Sequence, residues 1–114
     1  MKLENTQTQM RKGILEYCIL QIIARGEVYA SDLLHELTDA KMMVVEGTLY
    51  PLLTRLRKAS LVEYKWVESS SGPPRKYYTL TTEGTSFLDN LDKTWGDLVK
   101  SAKLITSRTK KSNL

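Results

Sequence analysis

The chain has 114 residues, of which 41% are hydrophobic and 26% are charged. This length suits one domain with one core, and the balanced composition excludes a disordered, collagen-like or low-complexity chain. The formal net charge of +4 agrees with a polyanionic partner, but an excess of this size also serves solubility alone.

Cys18 is the only cysteine, so an intrachain disulfide is excluded. It lies within the apolar run ILEYCILQII, where the expected state is a small buried thiol in a reducing compartment. The N-terminal residues lack the apolar core of a signal peptide, and no stretch approaches the roughly 18 apolar residues of a membrane span. We therefore expect a cytoplasmic protein that makes no membrane contact.

The first predicted helix runs from Thr8 to Ala24 and ends before Gly26. It is apolar nearly all round, and such a helix must be covered on two sides. A domain this small covers one side well, so the pattern favours a partner subunit at a surface that includes Ile14 and Cys18. A short second helix follows, with Ser31 and Asp32 as its cap and first turn.

The third predicted helix lies within VVEGTLYPLLTRLRKASL, residues 44–61, and has a buried leucine stripe. With the stripe inward, its outer face contains no acid. The stripe comprises Leu49, Leu52, Leu53 and Leu56, the outward residues are Gly47, Pro51, Thr54, Arg55 and Lys58, and Thr48, Tyr50 and Arg57 flank them. We expect Pro51 to be tolerated because it lies close to the helix start.

The pattern then changes to the alternation of a β-hairpin. LVEYKWV and RKYYTL are its strands, and the turn-rich residues 69–74 between them are predicted to form a mobile tip. Three short helices followed by a hairpin indicate a winged helix-turn-helix, whose third helix enters the major groove. Arg75 and Lys76 would then carry positive charge to phosphates. For any one cation alone a solvated surface residue is the favoured explanation, but two basic clusters on the two elements expected to touch DNA favour binding.

A last long helix is predicted to begin after a cap at Thr81 or Thr82. Its apolar residues step by three and four for about two and a half heptads, which suits either packing on its own domain or a dimer seam. Together with the apolar first helix, the pattern favours a homodimer. The seam residues are Leu88, Leu91, Trp95, Leu98, Ala102 and Ile105.

The fold class predicted from these elements is mainly α with a β-hairpin: a winged helix-turn-helix plus a long C-terminal dimerisation helix. We assign residues 8–81 to the DNA-binding domain, 82–108 to the dimerisation helix and 109–114 to a frayed tail.

The segments TLYPLLTRLRKASLVEY and GPPRKYYTLTTEG resemble the recognition helix and wing of the PadR family of bacterial transcriptional regulators, in its branch with a single C-terminal helix. The resemblance implies a homodimeric repressor that binds a pseudo-palindromic DNA operator and is released by a small molecule. It places Thr48, Tyr50, Pro51 and Arg55 at DNA, and Arg75 and Lys76 at phosphates.

Other positions also follow from the resemblance. Tyr29 matches a tyrosine common in the family, although Ala30 and Ser31 replace the usual glycine and aromatic residue after it. Pro73 and Pro74 stand where basic residues are frequent, which implies a weaker phosphate contact by the wing.

Trp95 resembles a tryptophan that, in multidrug-binding members, sandwiches planar aromatic ligands at the dimer interface. With Leu91 it would line an effector pocket. The alternative is a large seam residue that packs against its twin.

The sequence gives little support to an enzyme. With one histidine and one cysteine, no pair of metal ligands at usable spacing, no glycine-rich phosphate loop and no GxSxG, it predicts no cofactor and no metal. His35 is interpreted as a surface residue. The remaining alternative is a winged-helix adaptor that binds protein rather than DNA, and the acid-free third helix argues against it.

Overall fold

The computed structural model describes residues 1–109, which form four α-helices and three β-strands. The elements are, in chain order, α1 Leu3–Ala24, β1 Val28–Tyr29, α2 Ala30–Asp39, α3 Glu46–Lys58, β2 Val62–Ser69, β3 Gly72–Leu80 and α4 Thr82–Ser107. The predicted fold class is confirmed: three helices, a hairpin and a long last helix. The first helix begins at Leu3 rather than Thr8, and residues 110–114 of the predicted tail lie outside the described residues.

The strands form an antiparallel sheet in the order β1-β3-β2. β1 was not predicted, because two residues are too few to show an alternating pattern. It pairs Val28 with Tyr78 and Tyr29 with Tyr77. This pairing attaches the junction between α1 and α2 to the base of the hairpin, which we call the wing.

The wing tip differs from the mobile loop predicted over residues 69–74. β2 continues to Ser69 and β3 begins at Gly72, so the turn contains only two residues. Pro73 and Pro74 lie in β3 at an irregularity, between the pairs Ser69–Gly72 and Val67–Arg75. Proline cannot donate to a ladder, and a bulge leaves positions where no donor is needed. The bulge therefore accommodates both prolines within the strand.

One hydrophobic core holds the three short helices against the sheet. The leucine stripe of α3 is confirmed: Leu49, Leu53 and Leu56 are buried, and Leu52 is half-buried. Only the C-terminal half of α1 contributes to the core, through Leu15, Ile19, Leu20, Ile22 and Ile23. α3 is thus fixed on its inner side and free on its outer side.

The start of α2 is two residues earlier than predicted. Tyr29 is the N-cap residue, without a side-chain capping bond, and Asp32 lies in the first turn. The pairing of Tyr29 in β1 keeps its backbone extended, so the chain enters the helix at the next residue. Ser31 therefore lies within the helix and does not cap it.

α2 and α3 end in the same way, with a residue in the left-handed region. Lys41 has φ 64° and Ser60 has φ 63°, and the amides that follow bond back to Leu37 and Leu56 at 2.9 and 3.0 Å. This is the Schellman closure, which satisfies carbonyls that the helix end would leave free. It brings the chain directly from α3 into the wing.

Thr81 caps α4, as predicted, and also fixes this helix to the turn between α3 and β2. Its hydroxyl accepts from the Gly84 amide (2.9 Å) and donates to the Ser60 carbonyl (2.6 Å). A Cβ at Gly84 would lie 1.9 Å from the carbonyl oxygen of Leu61, so only glycine permits this approach. The base of α4 is therefore in direct backbone contact with the α3–β2 turn.

The two halves of α4 differ in their surroundings. Leu88 is buried and Leu91 half-buried against the domain, whereas Leu98 is 56% and Ile105 66% exposed. Packing on its own domain thus accounts for the first half only. None of the helices described in residues 1–109 combines the length and apolar character needed to span a membrane.

Candidate nucleic-acid interface

The outward face of α3 presents the predicted side chains to solvent. Burial of the leucine stripe turns this face outward, and it exposes Gly47, Tyr50, Pro51, Thr54, Arg55, Arg57 and Lys58, with Thr48 half-buried. No neighbouring side chain lies within 4 Å of the position that a Cβ would occupy at Gly47. A partner can therefore approach the backbone closely at the start of the helix.

Pro51 lies further into α3 than the sequence suggested. The first four amides of a helix have no helical partner in any case, so a proline there loses no hydrogen bond. Pro51 is the sixth residue of α3 and lies beyond these positions. Its missing N–H leaves the Gly47 carbonyl without its helical donor. Both residues are exposed, so water or a ligand can donate to this carbonyl instead.

Arg55 is not a free cation, because its Nη2 forms an ion pair with Oε1 of Glu16 on α1. The expectation that no acid lies at this face was correct for α3 beyond its first residue but overlooked α1. Glu16 stands in an apolar run, 39 positions before Arg55, and nothing in either segment signals the contact. The ion pair connects α3 to α1 at the edge of the exposed face.

Arg75 and Lys76 lie on opposite faces of β3, because consecutive strand residues alternate. The guanidinium of Arg75 lies 5.0 Å from the centroid of the Tyr29 ring. The Lys76 ammonium lies 4.5 Å from the Tyr64 ring and 5.3 Å from the Trp66 ring. Aromatic faces attract such cations without neutralising them, so both charges remain available to a phosphate.

Tyr29 is held by a second aromatic residue across the sheet. Its ring centroid is 3.7 Å from that of Tyr77, with the planes tilted by 31°. A hydrogen bond with Tyr29 is the main cause that raises the pKa of Tyr77 to about 12. The phenol of Tyr77 therefore stays protonated at neutral pH. β1 places Tyr29 beside the wing cation Arg75.

A cleft of about 290 Å³ unites residues from α2, α3 and the wing. It contains four of the nine predicted DNA-binding residues, Tyr29, Tyr50, Arg75 and Lys76. The other five lie on α3 outside the cleft: Thr48, Pro51, Thr54, Arg55 and Lys58. Trp66, which is exposed, was not predicted as part of this surface. The lining residues are Tyr29, Ala30, Ser31, Tyr50, Trp66, Pro74, Arg75, Lys76 and Tyr78.

The predicted effector residues lie away from this surface, between α4 and α1. The ring of Trp95 is 6.1 Å from that of Tyr17, and the Tyr17 hydroxyl donates to Oδ1 of Asp92 at 2.6 Å. Leu91 is half-buried one turn earlier on α4. The structure therefore places Trp95 beside α1 and, at 40% exposure, open to solvent on its other side.

Cys18 was predicted to be a buried thiol and His35 a surface residue. Cys18 is half-buried rather than fully buried, and desolvation raises the pKa of its thiol. His35 is exposed, as predicted, with Nε2 3.5 Å from the Asp39 carboxylate. Among residues 1–109 no three His, Cys, Asp or Glu side chains cluster as metal ligands.

Comparison with known proteins identifies the family. A protein-family model described as "Transcriptional regulator PadR-like family" matches residues 19–90 of this chain. A PadR-like transcription factor from Bacteroides fragilis is 52% identical, with a TM-score of 0.74 over 89% of this chain and 98% of that chain. A PadR-like transcriptional regulator from Bacillus cereus is 39% identical, with a TM-score of 0.81 over 90% and 99%.

A more distant similarity concerns the fold alone. The Bacillus subtilis PadR in complex with operator DNA is 22% identical, with a TM-score of 0.61 over 68% of this chain and 46% of that chain. The family model covers the chain from the second half of α1 through the wing to the first part of α4. The chain belongs to the PadR-like family of transcriptional regulators.

Proposed function

We propose that this protein regulates transcription by binding a specific operator sequence in double-stranded DNA. The outward face of α3 carries the proposal, because it joins exposed cations and hydroxyls to the aromatic cleft and cations of the wing. The B. subtilis PadR whose structure includes operator DNA has the same fold, which supports the proposal.

In the proposed complex α3 lies in the major groove and the wing follows the phosphates. Thr54 and Arg55 face base edges, where an arginine pairs with guanine through two hydrogen bonds. Lys58, Arg75 and Lys76 contact phosphates, which position the protein without reading sequence. Thr48, Tyr50, Pro51 and Tyr29 complete the contact surface.

The proposed functional unit is a homodimer joined through α1 and α4. Both helices expose apolar side chains that a soluble monomer has no reason to keep in water. On α1 these are Leu3 and Met10, and on α4 they are Trp95, Leu98, Leu104 and Ile105. We include the half-buried Ile14 and Cys18, the seam residue Ala102, and the half-buried Leu91 at the base of α4. Leu88, which the sequence also suggested for this seam, is buried in the core of its own domain and is left out. Two copies of α3 would then reach half-sites one helical turn apart, about 34–36 Å.

The proposed regulation is repression that a planar aromatic effector relieves. Trp95 offers an exposed ring beside Tyr17, and Leu91 supplies an apolar wall. A flat ligand between two Trp95 rings of a dimer would alter the arrangement of α4 and hence the spacing of the DNA-binding surfaces. Titration with planar aromatic compounds should quench the fluorescence of wild type and Trp66→Phe alike, and leave Trp95→Phe unchanged. Equal quenching of all three would contradict the effector site.

The experiment that tests DNA binding is fluorescence anisotropy with two labelled duplexes, the region upstream of the protein's own gene and a scrambled sequence of equal composition. We expect tight binding to the first and weak, strongly salt-dependent binding to the second, with a log–log slope of about −0.9 per phosphate contacted. Equal weak binding to both would favour a winged-helix adaptor that binds protein.

A further inference from the structure

The ion pair between Glu16 and Arg55 places an acid beside the proposed DNA-binding surface. The Glu16 side chain is 34% exposed, whereas that of Arg55 is 66% exposed. The carboxylate thus lies half-buried on α1, beneath a guanidinium that faces solvent. Among the four ion pairs in residues 1–109, this is the one that involves a cation of α3.

This pairing lowers the charge that α3 offers to a phosphate backbone. A paired Arg55 contributes little to sequence-independent attraction, which depends on cations that replace counterions. Non-operator DNA therefore meets a surface with one cation fewer than the sequence of α3 suggests.

An operator can present a matched, hydrogen-bonding base to Arg55 at a position where other DNA has none. A guanine at the right position presents two acceptors, O6 and N7, to the guanidinium. Arginine has five N–H donors, so it can turn donors toward this base while others still face Glu16. Where that base is wrong, the carboxylate remains the better partner.

We propose that Glu16 is a specificity-determining residue, which holds Arg55 back from the phosphates of non-operator DNA and yields it to a matched base. This inference rests on the proposed function. Discrimination here comes from a built-in competitor that penalises wrong partners, in addition to contacts that reward the right one.

The test uses Glu16→Gln, which keeps the shape of the side chain and removes its charge. Anisotropy is measured on the operator and scrambled duplexes at several salt concentrations. We expect the scrambled duplex to bind several-fold more tightly at low salt, with a slope steeper by about 0.9. Operator affinity changes less, so the ratio of operator to scrambled binding falls.

Two controls separate this role from a change of net charge or of stability. Glu36→Gln breaks the Arg25–Glu36 ion pair with the same change of charge, and we expect it to keep the wild-type ratio. In an Arg55→Gln background, Glu16→Gln should have no further effect on either duplex. Circular dichroism checks folding, and Glu16→Ala replaces the glutamine variant if that variant is unstable.

The proposal is overturned if Glu16→Gln keeps the wild-type ratio and salt slope, if its effect persists with Arg55→Gln, or if Glu36→Gln reproduces it. A wild type that prefers the operator together with an unaltered Glu16→Gln variant overturns only the role of Glu16. A wild type without preference for the operator overturns the proposed function as well.

Discussion

α3 and the outer half of α4 carry similar apolar stripes but meet different surroundings. Leu53 of α3 is 1% exposed, whereas Leu98 and Ile105 of α4 are more than half exposed. A helical period shows that a stripe exists and says nothing of what covers it. The stripe of α3 is completed by its own domain, whereas that of outer α4 is open to a second surface.

The largest expected effect tests the buried side of this comparison. Leu53→Ala leaves a cavity in the core and should lower the free energy of unfolding by about 2–5 kcal/mol, as measured by urea denaturation. Leu98→Ala is the matched control. It should leave the stability of the domain nearly unchanged and instead shift self-association in sedimentation experiments. Equal destabilisation by both variants would mean that the outer half of α4 packs as tightly as α3.

A smaller effect tests where the covered part of α4 begins. Gly84→Ala forces a Cβ against the Leu61 carbonyl oxygen, and such overpacking should cost about 1–3 kcal/mol of stability. Gly96→Ala on the same helix meets open space. It should stabilise by about 0.5–1 kcal/mol through helix propensity. Thermal unfolding of the two variants should therefore shift in opposite directions, and a rise for Gly84→Ala would refute the close contact.

The outer face of α3 is tested by DNA binding rather than by stability. Arg55→Ala should cost about 1–3 kcal/mol of operator affinity and relax sequence preference if Arg55 reads a base. Lys103→Ala, on exposed outer α4, should leave that preference unchanged. A uniform loss on all duplexes would make Arg55 a phosphate contact instead.

The smallest effect concerns the end of α3. Ser60 has φ 63°, which glycine adopts without steric cost, so Ser60→Gly should stabilise by about 0.5–1 kcal/mol. Ala59 has an ordinary φ of −80°, and Ala59→Gly should destabilise slightly. If the denaturation midpoints of the two variants shift in the same direction, the Schellman closure at the end of α3 is contradicted.

Contacts between neighbours in sequence were predicted well. The leucine stripe of α3, the hairpin and the Thr81 cap each follow from residues within one turn or one strand pair, and the structure confirms them. The family assignment is likewise confirmed, and a family of transcriptional regulators also confirms that the chain is not an enzyme.

Contacts between distant segments could not be predicted. Glu16 meets Arg55, β1 meets β3 and Gly84 meets Leu61 only after folding, and no local pattern marks any of these residues. The two wing prolines signalled a loop because proline usually breaks strands. A bulge removes that penalty, and a bulge is visible only once the register is known.

The contact at Gly84 also has a mechanical consequence. α4 has 26 residues and, at 1.5 Å per residue, is about 39 Å long. A tilt of about 5° at its base would displace its far end by about 3.4 Å, one base-pair step along DNA. In the proposed dimer, the rigidity of the contact between Gly84 and Leu61 would therefore determine how accurately the two wings stay aligned with the helical repeat of the DNA.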